Sequence, residues 1–221
     1  MSSTVVNLTV HGIGRPRRAL DPGENESWVT VEQFERVLDA VAERDDVNLT
    51  FDDGNSSDVE IALPRLVERG LTAEFFPLAG GLGERGRVDR DGVRALADAG
   101  MAIGSHGWAH RDWRRLGEAG FAQELTEASS LLADAGGAPV ERVALPFGFY
   151  DRRVLERLRM AGVVRAYSND GSLAREGDWL QSRTSLPCDL DRDWVDIVVA
   201  GKGMYRQVAR RAARYVKIGR R

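Results

Sequence analysis

The stretch "LTFDDGNSSD", residues 49–58, joins an apolar, β-branched run to two adjacent carboxylates followed by a glycine. A run of this kind predicts a buried strand that ends at Asp52 and Asp53. Neighbouring like charges raise each other's pKa and cost stability, so the pairing of these aspartates requires an explanation. Asp-Gly is also a common turn signal, and the stretch by itself leaves a simple turn and a functional strand end equally open.

Short apolar runs alternate with longer amphipathic segments on both sides of this stretch. The predicted strands are VVNLTV, VNLTF, TAEFFPL, MAIGSH, RVALPF and VVRAYS. The predicted helices are VTVEQFERVLDAVAER with Thr30 as its cap, DVEIALPRLVERG ending at Gly70, RDGVRALADAG, LGEAGFAQELTEASSLLADAGG and DRRVLERLRMAG. This order predicts an α/β fold with a parallel sheet, either open and doubly wound or closed into a barrel. In both folds the active groups lie at the carboxyl ends of the strands.

The composition limits the classes of function. The chain has 221 residues and a formal net charge of -3. This length fits one α/β domain, and we expect residues 1–221 to form a single catalytic domain. Acidic and basic residues are mixed over most of the length, which argues against a nucleic-acid partner. Cys188 is the only cysteine, so an internal disulfide and a cysteine-rich zinc site are excluded.

The two ends of the chain bear on localisation. No apolar run approaches the roughly 18 residues of a transmembrane helix, and the first residues lack the pattern of a secretion signal. The sequence therefore predicts a cytoplasmic protein. The last residues are strongly cationic, and a helix over about 203–221 would place Arg206, Arg210 and Arg214 on neighbouring turns. A solvated helix, contact with a membrane surface and an acidic partner all remain open for this segment.

Histidines follow two of the predicted strands. The chain contains three: His11 follows "LTV", His106 follows "MAIGS", and His110 comes four residues later. A histidine pair at this spacing can hold one metal ion if the segment turns helically, with Asp53 as the third ligand. Three protein ligands leave an open position, as in catalytic zinc sites, and Asp52 would then remain available as a general base. The alternative for the pair is a polar loop with one structural hydrogen bond.

Two motifs together resemble the polysaccharide deacetylase superfamily, of the carbohydrate esterase family 4 type. "TFDDG" (50–54) is similar to its first motif, and "SHGWAH" (105–110) is similar to its second. The resemblance implies a distorted (β/α) barrel, often with seven strands rather than eight. It also implies that Asp52 is the catalytic base. Asp53, His106 and His110 would bind Zn²⁺, with another divalent transition metal as the alternative.

A third segment resembles the next family motif with one departure. In "VALPFGFYD" (143–151), Pro146, Phe147 and Gly148 match the motif, whereas Ala144 stands where many members have an arginine. The alanine form is typical of the branch that resembles poly-N-acetylglucosamine deacetylases. In other branches that arginine orients the catalytic aspartate, and Arg183 in "QSRTSLP" is our candidate for its replacement.

The remaining site residues also come from the resemblance. "LTVH" (8–11) resembles the last family motif, whose histidine acts as the general acid, although that motif usually lies near the C-terminus. The branch named above resembles a circular permutation in which this strand comes first, so His11 would reach the pocket from a strand beside the last one. The resemblance also gives the candidates for contact with substrate: Pro146, Phe147, Gly148, Tyr150, Trp108, Arg183 and the pair Asp178–Trp179, which resembles the fourth motif.

These patterns predict a metal-dependent deacetylase that hydrolyses the N-acetyl amide of a sugar or sugar conjugate. Two alternatives remain. One is another C–N hydrolase of the superfamily that acts on a small cytoplasmic substrate. The other is a catalytically silent member that binds sugar.

Overall fold

The computed structural model describes residues 3–201. The predicted basic helix over 203–221 lies outside these residues. The strands are β1 (Thr4–Val10), β2 (Gly12–Ile13), β3 (Trp28–Val29), β4 (Val47–Asp53), β5 (Ala73–Pro77), β6 (Ala102–Ile103), β7 (Arg142–Ala144), β8 (Arg165–Tyr167), β9 (Ala174–Arg175), β10 (Leu180–Gln181) and β11 (Thr184–Ser185). The α-helices are α1 (Val31–Val41), α2 (Leu63–Glu68), α3 (Arg90–Asp98), α4 (Glu118–Ala122), α5 (Ala128–Gly136), α6 (Arg152–Met160) and α7 (Arg192–Val199).

Parallel strands form a distorted barrel. One sheet has the order β11-β1-β4-β5-β6, and another has the order β10-β8-β7. A parallel bridge between Ser105 and Val143 joins the two sheets just beyond β6. On the other side, β10 and β11 follow each other in the chain and act as one broken strand between β8 and β1. With this pair taken as one, the described residues form a seven-stranded barrel, which confirms the predicted fold and excludes the open sheet.

Helix α1 shows how local sequence sets these elements. Thr30 accepts a hydrogen bond from the Gln33 N–H, and the Gln33 side chain accepts one from the Thr30 N–H, which is a complete capping box. A cap of this kind stabilises a helix by about 1 kcal/mol. The helix buries Phe34 and Leu38 against the outer face of the barrel.

The helix predicted over "DVEIALPRLVERG" is divided in two. A π-helical segment, Asp58–Ala62, precedes α2, and Pro64 lies in the first turn of α2. Proline has no N–H to donate to the preceding turn, so the regular hydrogen-bond pattern restarts there. Gly70 takes a left-handed conformation (φ 64) at the end, as its position in the sequence predicts.

The inside of the barrel is more polar than the apolar strand patterns suggest. Leu8 and Phe51 belong to the main apolar cluster, which also includes residues of α1 and α7. The alternate positions Thr9 and Thr50 carry buried hydroxyl groups that are 3.0 Å apart. Because side chains alternate along a strand, the second set points into the barrel and leads towards Asp52. None of the helices among residues 3–201 is long and apolar enough to cross a membrane.

Candidate active site

The polar groups predicted at strand ends meet at one edge of the barrel. Asp53 ends β4, and His106 and His110 lie in the segment after β6. One ligand atom from each of these three side chains lies within 4.8 Å of the other two. Two imidazoles and a carboxylate suit zinc and other divalent transition metals. The donor set therefore fits one such cation.

The two histidines reach this point by different means. His106 Nδ1 is 2.9 Å from the carbonyl oxygen of Ala144, which directs Nε2 towards Asp53 at 3.7 Å. His110 has a left-handed backbone (φ 52), and Gly107 does too (φ 90). The segment between the histidines is therefore not the helical turn that the sequence analysis gave as the condition for a shared ion. A left-handed reversal brings the rings to a centroid distance of 4.9 Å.

Strand β4 ends in a turn that belongs to the site. Asp53 (φ 75) and Gly54 (φ 67) are both left-handed. Aspartate tolerates this conformation better than most residues, and a side chain at position 54 would collide with Pro77. Arg87 donates a hydrogen bond of 2.9 Å to the carbonyl oxygen of Asp53, which further fixes the turn. The turn and the functional strand end, left as alternatives by the sequence, coexist here.

Asp52 forms a two-bond ion pair with Arg183. The guanidinium donates to each carboxylate oxygen at 2.7 Å, and both side chains are buried. Arg183 lies between the rings of Phe76 and Tyr167, with its central carbon 5.6 and 5.5 Å from their centroids. It also donates to Thr50, which joins the pair to the polar interior of the barrel. Bidentate pairs of this kind fix orientation as well as charge.

The electrostatic surroundings keep both aspartates ionised. Burial alone would raise the pKa of Asp52, but Arg183 and His106 outweigh it and the net pKa is lowered. Burial also acts to raise the pKa of Asp53, and His106 and His11 again reverse the direction. The expected mutual increase from two adjacent carboxylates is therefore overcome by nearby cationic or polar partners.

His11 follows β1, which lies between β11 and β4 in the sheet. Its Nδ1 atom is buried and makes no hydrogen bond with the described residues. Burial lowers the pKa of His11, and the nearby charges of Asp53 and Asp52 only partly oppose this change. His11 thus faces the same pocket as the other polar groups.

A cavity of about 800 Å³ contains these groups. Trp108, Phe147 and Gly148 line it, as the sequence analysis predicts for a substrate pocket. Phe147 is left-handed (φ 59), its side chain remains 46% exposed, and its ring lies 4.1 Å from that of His110. A strained, exposed aromatic residue beside a polar centre is typical of a binding site.

Four residues predicted to contact substrate lie outside the lining of this cavity. Trp179 donates its indole N–H to the Val163 carbonyl at 2.7 Å and packs in an apolar cluster at the opposite ends of the strands. Asp178, beside it, is exposed, so the assignment of this pair to the pocket is wrong. Pro146 is buried at the start of its turn. Tyr150 donates to Asp170 at 3.0 Å, outside the cavity.

Several lining residues were missed by sequence reasoning. Asn169, directly after the predicted strand "VVRAYS", bonds to Ser185, and its place at a strand end was an available signal. The glycine-rich segment "GGLGERGR", residues 80–87, contributes one wall. Its turn is held by a hydrogen bond from Gly80 to the Trp108 carbonyl at 2.9 Å. Residues 21–24, 26 and 27 form another wall, for which the sequence holds no signal that we can identify.

This fold and site define a (β/α)-barrel protein with a candidate metal centre at the carboxyl ends of its strands. The family profile for polysaccharide deacetylase matches residues 39–166. Because this match covers more than half of the chain, the chain belongs to the polysaccharide deacetylase family.

Known proteins are similar to this chain at low sequence identity. A peptidoglycan-N-acetylglucosamine deacetylase of Bacillus cereus is 26% identical over 125 residues, which are 55% of this chain and 42% of that protein. The match spans about half the length of the curated relatives. The deacetylase PplD of Streptococcus pyogenes, solved with acetate, has a TM-score of 0.78 at 15% identity, covering 90% of this chain and 99% of PplD. IcaB from Ammonifex degensii has a TM-score of 0.71 at 21% identity, covering 89% and 96% of the two chains. At these identities the structural likeness supports the fold alone.

Proposed function

We propose that this protein is a metal-dependent deacetylase that hydrolyses the N-acetyl amide of a sugar or sugar conjugate. The main supporting observation is the Asp-His-His group beside the ion pair of Asp52 and Arg183 in one pocket. Family membership supports the same chemistry, since the matched family is described as polysaccharide deacetylase.

Asp53, His106 and His110 would hold the cation, with zinc as the first candidate and other divalent transition metals as alternatives. When bound, such an ion supplies a Lewis acid that polarises the acetyl carbonyl. His106 is prepared for this role because its hydrogen bond to the Ala144 carbonyl leaves Nε2 free to face the ligands.

Asp52 is the proposed general base. Its Oδ2 atom lies 3.9 Å from His106 Nε2 and therefore faces the candidate ligand group. Arg183 holds the carboxylate in position, and the lowered pKa keeps it in the ionised form that a base requires, although the same shift makes it a weaker base. Arg183 thereby takes the place of the arginine that many family members have at the position of Ala144.

His11 is the proposed general acid for the departing amine. His11 would take up a proton from solvent once substrate is bound, and its lowered pKa makes the resulting imidazolium a stronger acid that passes this proton to the departing amine. The backbone N–H of Phe147 is a candidate donor to the developing oxyanion, since its turn lies beside His110. Phe147 and Trp108 offer aromatic faces to a sugar ring in the cavity.

Metal analysis combined with amine release tests this proposal. We expect purified protein to hold about one divalent cation per chain and to release amine and acetate from N-acetylated sugars. Substrates of one to five sugar units would separate a polymer from a small conjugate. His106→Ala and His110→Ala should both lose tight metal binding, because two remaining ligands hold zinc weakly. Full metal content in both variants would mean that the ligands are misassigned.

A further inference from the structure

Glu124 lies beneath the segment that carries the two histidines. It belongs to the π-helical segment Gln123–Glu127 between α4 and α5, and its side chain is 0% exposed. The sequence predicts one continuous amphipathic helix here and gives no reason to expect a buried carboxylate. π-Helical segments occur often at functional sites because they redirect side chains.

The Glu124 carboxylate receives hydrogen bonds from the backbone and side chains of that segment. Trp108 N–H donates to Oε2 at 2.8 Å, and Ala109 N–H donates to Oε1 at 3.2 Å. The side chain of Arg111 donates at 2.5 Å, and the indole of Trp113 donates at 3.2 Å. The segment therefore wraps around one buried negative charge, in the way that a backbone nest binds an anion.

This arrangement also explains the unusual backbone of the segment. Gly107 approaches Glu124 so closely that a Cβ atom would collide with Oε2. His110 then turns back through its left-handed conformation, φ 52. The side chain of His106 is oriented by a hydrogen bond to the neighbouring strand β7. The direction of the His110 imidazole depends instead on the path of residues 107–110.

The carboxylate and the segment depend on each other. Without the donors, a fully buried charge would have no compensation, and without the carboxylate, the N–H groups of Trp108 and Ala109 would lose their acceptor. Charge-assisted hydrogen bonds of this kind are stronger and more directional than neutral ones.

We propose that Glu124 is a positioning residue that sets the path of residues 107–110 so that His110 reaches the same point as Asp53 and His106. The inference rests on the proposed metal site. It predicts that the affinity for the cation depends on a carboxylate that contacts none of the three ligand side chains.

The test compares Glu124→Gln with Glu74→Gln. Glu74 is a matched control, because it is also a largely buried carboxylate that accepts a hydrogen bond from Tyr167 and forms an ion pair with Arg142, both at 2.9 Å. It lies near the start of β5, away from residues 107–110. For each protein we would measure Zn²⁺ affinity by chelator competition, the visible spectrum of the Co²⁺ form, and Tm.

Glutamine keeps the size of Glu124 but replaces one acceptor oxygen with a donor. We expect Glu124→Gln to weaken Zn²⁺ binding by about 10–100-fold, the usual effect of residues that orient metal ligands, and to alter the Co²⁺ spectrum. Glu74→Gln should change neither, even if its Tm falls equally. If Glu124→Gln binds Zn²⁺ within about twofold of wild type with an unchanged Co²⁺ spectrum, the inference is overturned, since outer ligand-orienting residues usually matter far more.

A second variant covers the case in which Glu124→Gln does not fold. Arg111 is 38% exposed, so Arg111→Met should be tolerated while it removes one bond to the carboxylate. We expect weaker Zn²⁺ binding here too, by a smaller factor, and unchanged binding would again overturn the inference. His110→Ala is the reference for the site itself. If wild type and His110→Ala bind Zn²⁺ equally, the proposed metal site fails, which is a different result from failure of the Glu124 inference.

Discussion

Asp52 remains charged in a place where burial and an adjacent carboxylate would both favour its neutral form. The charge of Arg183 lowers the pKa of Asp52 and so favours the ionised carboxylate. Its two hydrogen bonds also prevent the carboxylate from rotating. The sequence indicated the aspartate through "TFDDG", and it gave Arg183 only as a candidate, because the arginine stands 131 positions away without a motif. Local patterns identify residues at strand ends, whereas a partner from another strand is fixed only by the closed barrel.

Asp52→Asn tests the residue that we assign as the base. Asparagine is nearly isosteric but accepts no proton near neutral pH, so we expect metal content to stay close to wild type while kcat falls by about 10²–10⁴-fold. Tm should fall, because the buried Arg183 guanidinium loses its counter-charge. The measurement is steady-state amine release with an N-acetylated sugar, together with metal analysis. Activity within about tenfold of wild type would remove Asp52 from the role of base.

His11→Ala tests the proposed acid through the choice of substrate. An amine is a poor leaving group without a proton, so hydrolysis of an amide should fall by about 10²–10⁴-fold. An activated acetyl ester needs no proton on its leaving group and should be hydrolysed at nearly the wild-type rate. Equal losses on the two substrates would contradict the acid role, and metal content serves as the control for an intact site.

Secondary-structure elements with clear periodicity were predictable, and short ones were not. The capped helix α1 and strands β1 and β4 lie where the sequence placed them, because each is long enough to show its period. Strands β9, β10 and β11 have two residues each and show no period, so the last strand of the barrel was missed. The same limit explains why Trp179 was wrongly assigned to the pocket, since an Asp-Trp pair has no pattern that distinguishes a pocket wall from a buried apolar cluster.

The π-helical segments were missed for a different reason. Both carry acidic residues that an amphipathic reading places on the solvent face, yet Asp58 and Glu124 are buried. One additional residue in a helical turn rotates the following side chains, and hydropathy alone does not reveal it.

Asp58 gives the first π-helical segment a predictable pH dependence. Burial raises the pKa of Asp58 well above its usual value, Asp53 and Asp52 add to this effect, and Arg87 opposes it. A carboxyl group with a raised pKa in the folded state binds its proton more tightly there than in the unfolded chain. The contribution of Asp58 to the free energy of unfolding is therefore greatest below the pKa of an unfolded aspartate, about 3.9. This contribution decreases as the pH rises from there to the pKa of Asp58 in the folded state.

Asp58→Asn should remove this dependence, because asparagine is neutral at every pH. We expect the free energy of unfolding of Asp58→Asn to exceed that of wild type increasingly from about pH 4 upwards, by roughly 1.4 kcal/mol per pH unit at most, until the folded pKa is passed. Urea unfolding of both proteins at several pH values, with chelator present, measures the difference. A constant difference between pH 4 and 8 would show that Asp58 does not titrate in this manner.

At the scale of the whole molecule, the candidate metal ligands come from distant parts of one barrel. Asp53 ends β4, and the two histidines follow β6, so the three meet only when the sheet has formed. Family resemblance made this meeting predictable from two short motifs. The cavity walls at residues 21–24, 26 and 27 were not predictable, because loops of this kind carry neither period nor motif.

A cation that binds only the folded barrel should stabilise it. We expect Zn²⁺ at about 100 times its Kd to increase the free energy of unfolding by roughly 2.7 kcal/mol, and removal by chelator to reverse the gain. Thermal unfolding with and without Zn²⁺ measures this change as a shift in Tm. His110→Ala should show little shift, and an equal shift in that variant would point to a cation bound elsewhere.

The broken strand formed by β10 and β11 bears on how the protein is synthesised. This strand completes the ring beside β1 and carries Arg183 between its two halves. On the ribosome, β1 and β4 emerge early, but the edge of β1 at Leu8 and Thr9 stays uncovered and Asp52 lacks its counterion until residues 183–185 follow. A nascent chain therefore carries an open strand edge that is prone to mispairing until that point. The same late step that closes the barrel also brings Arg183 to Asp52, the proposed general base.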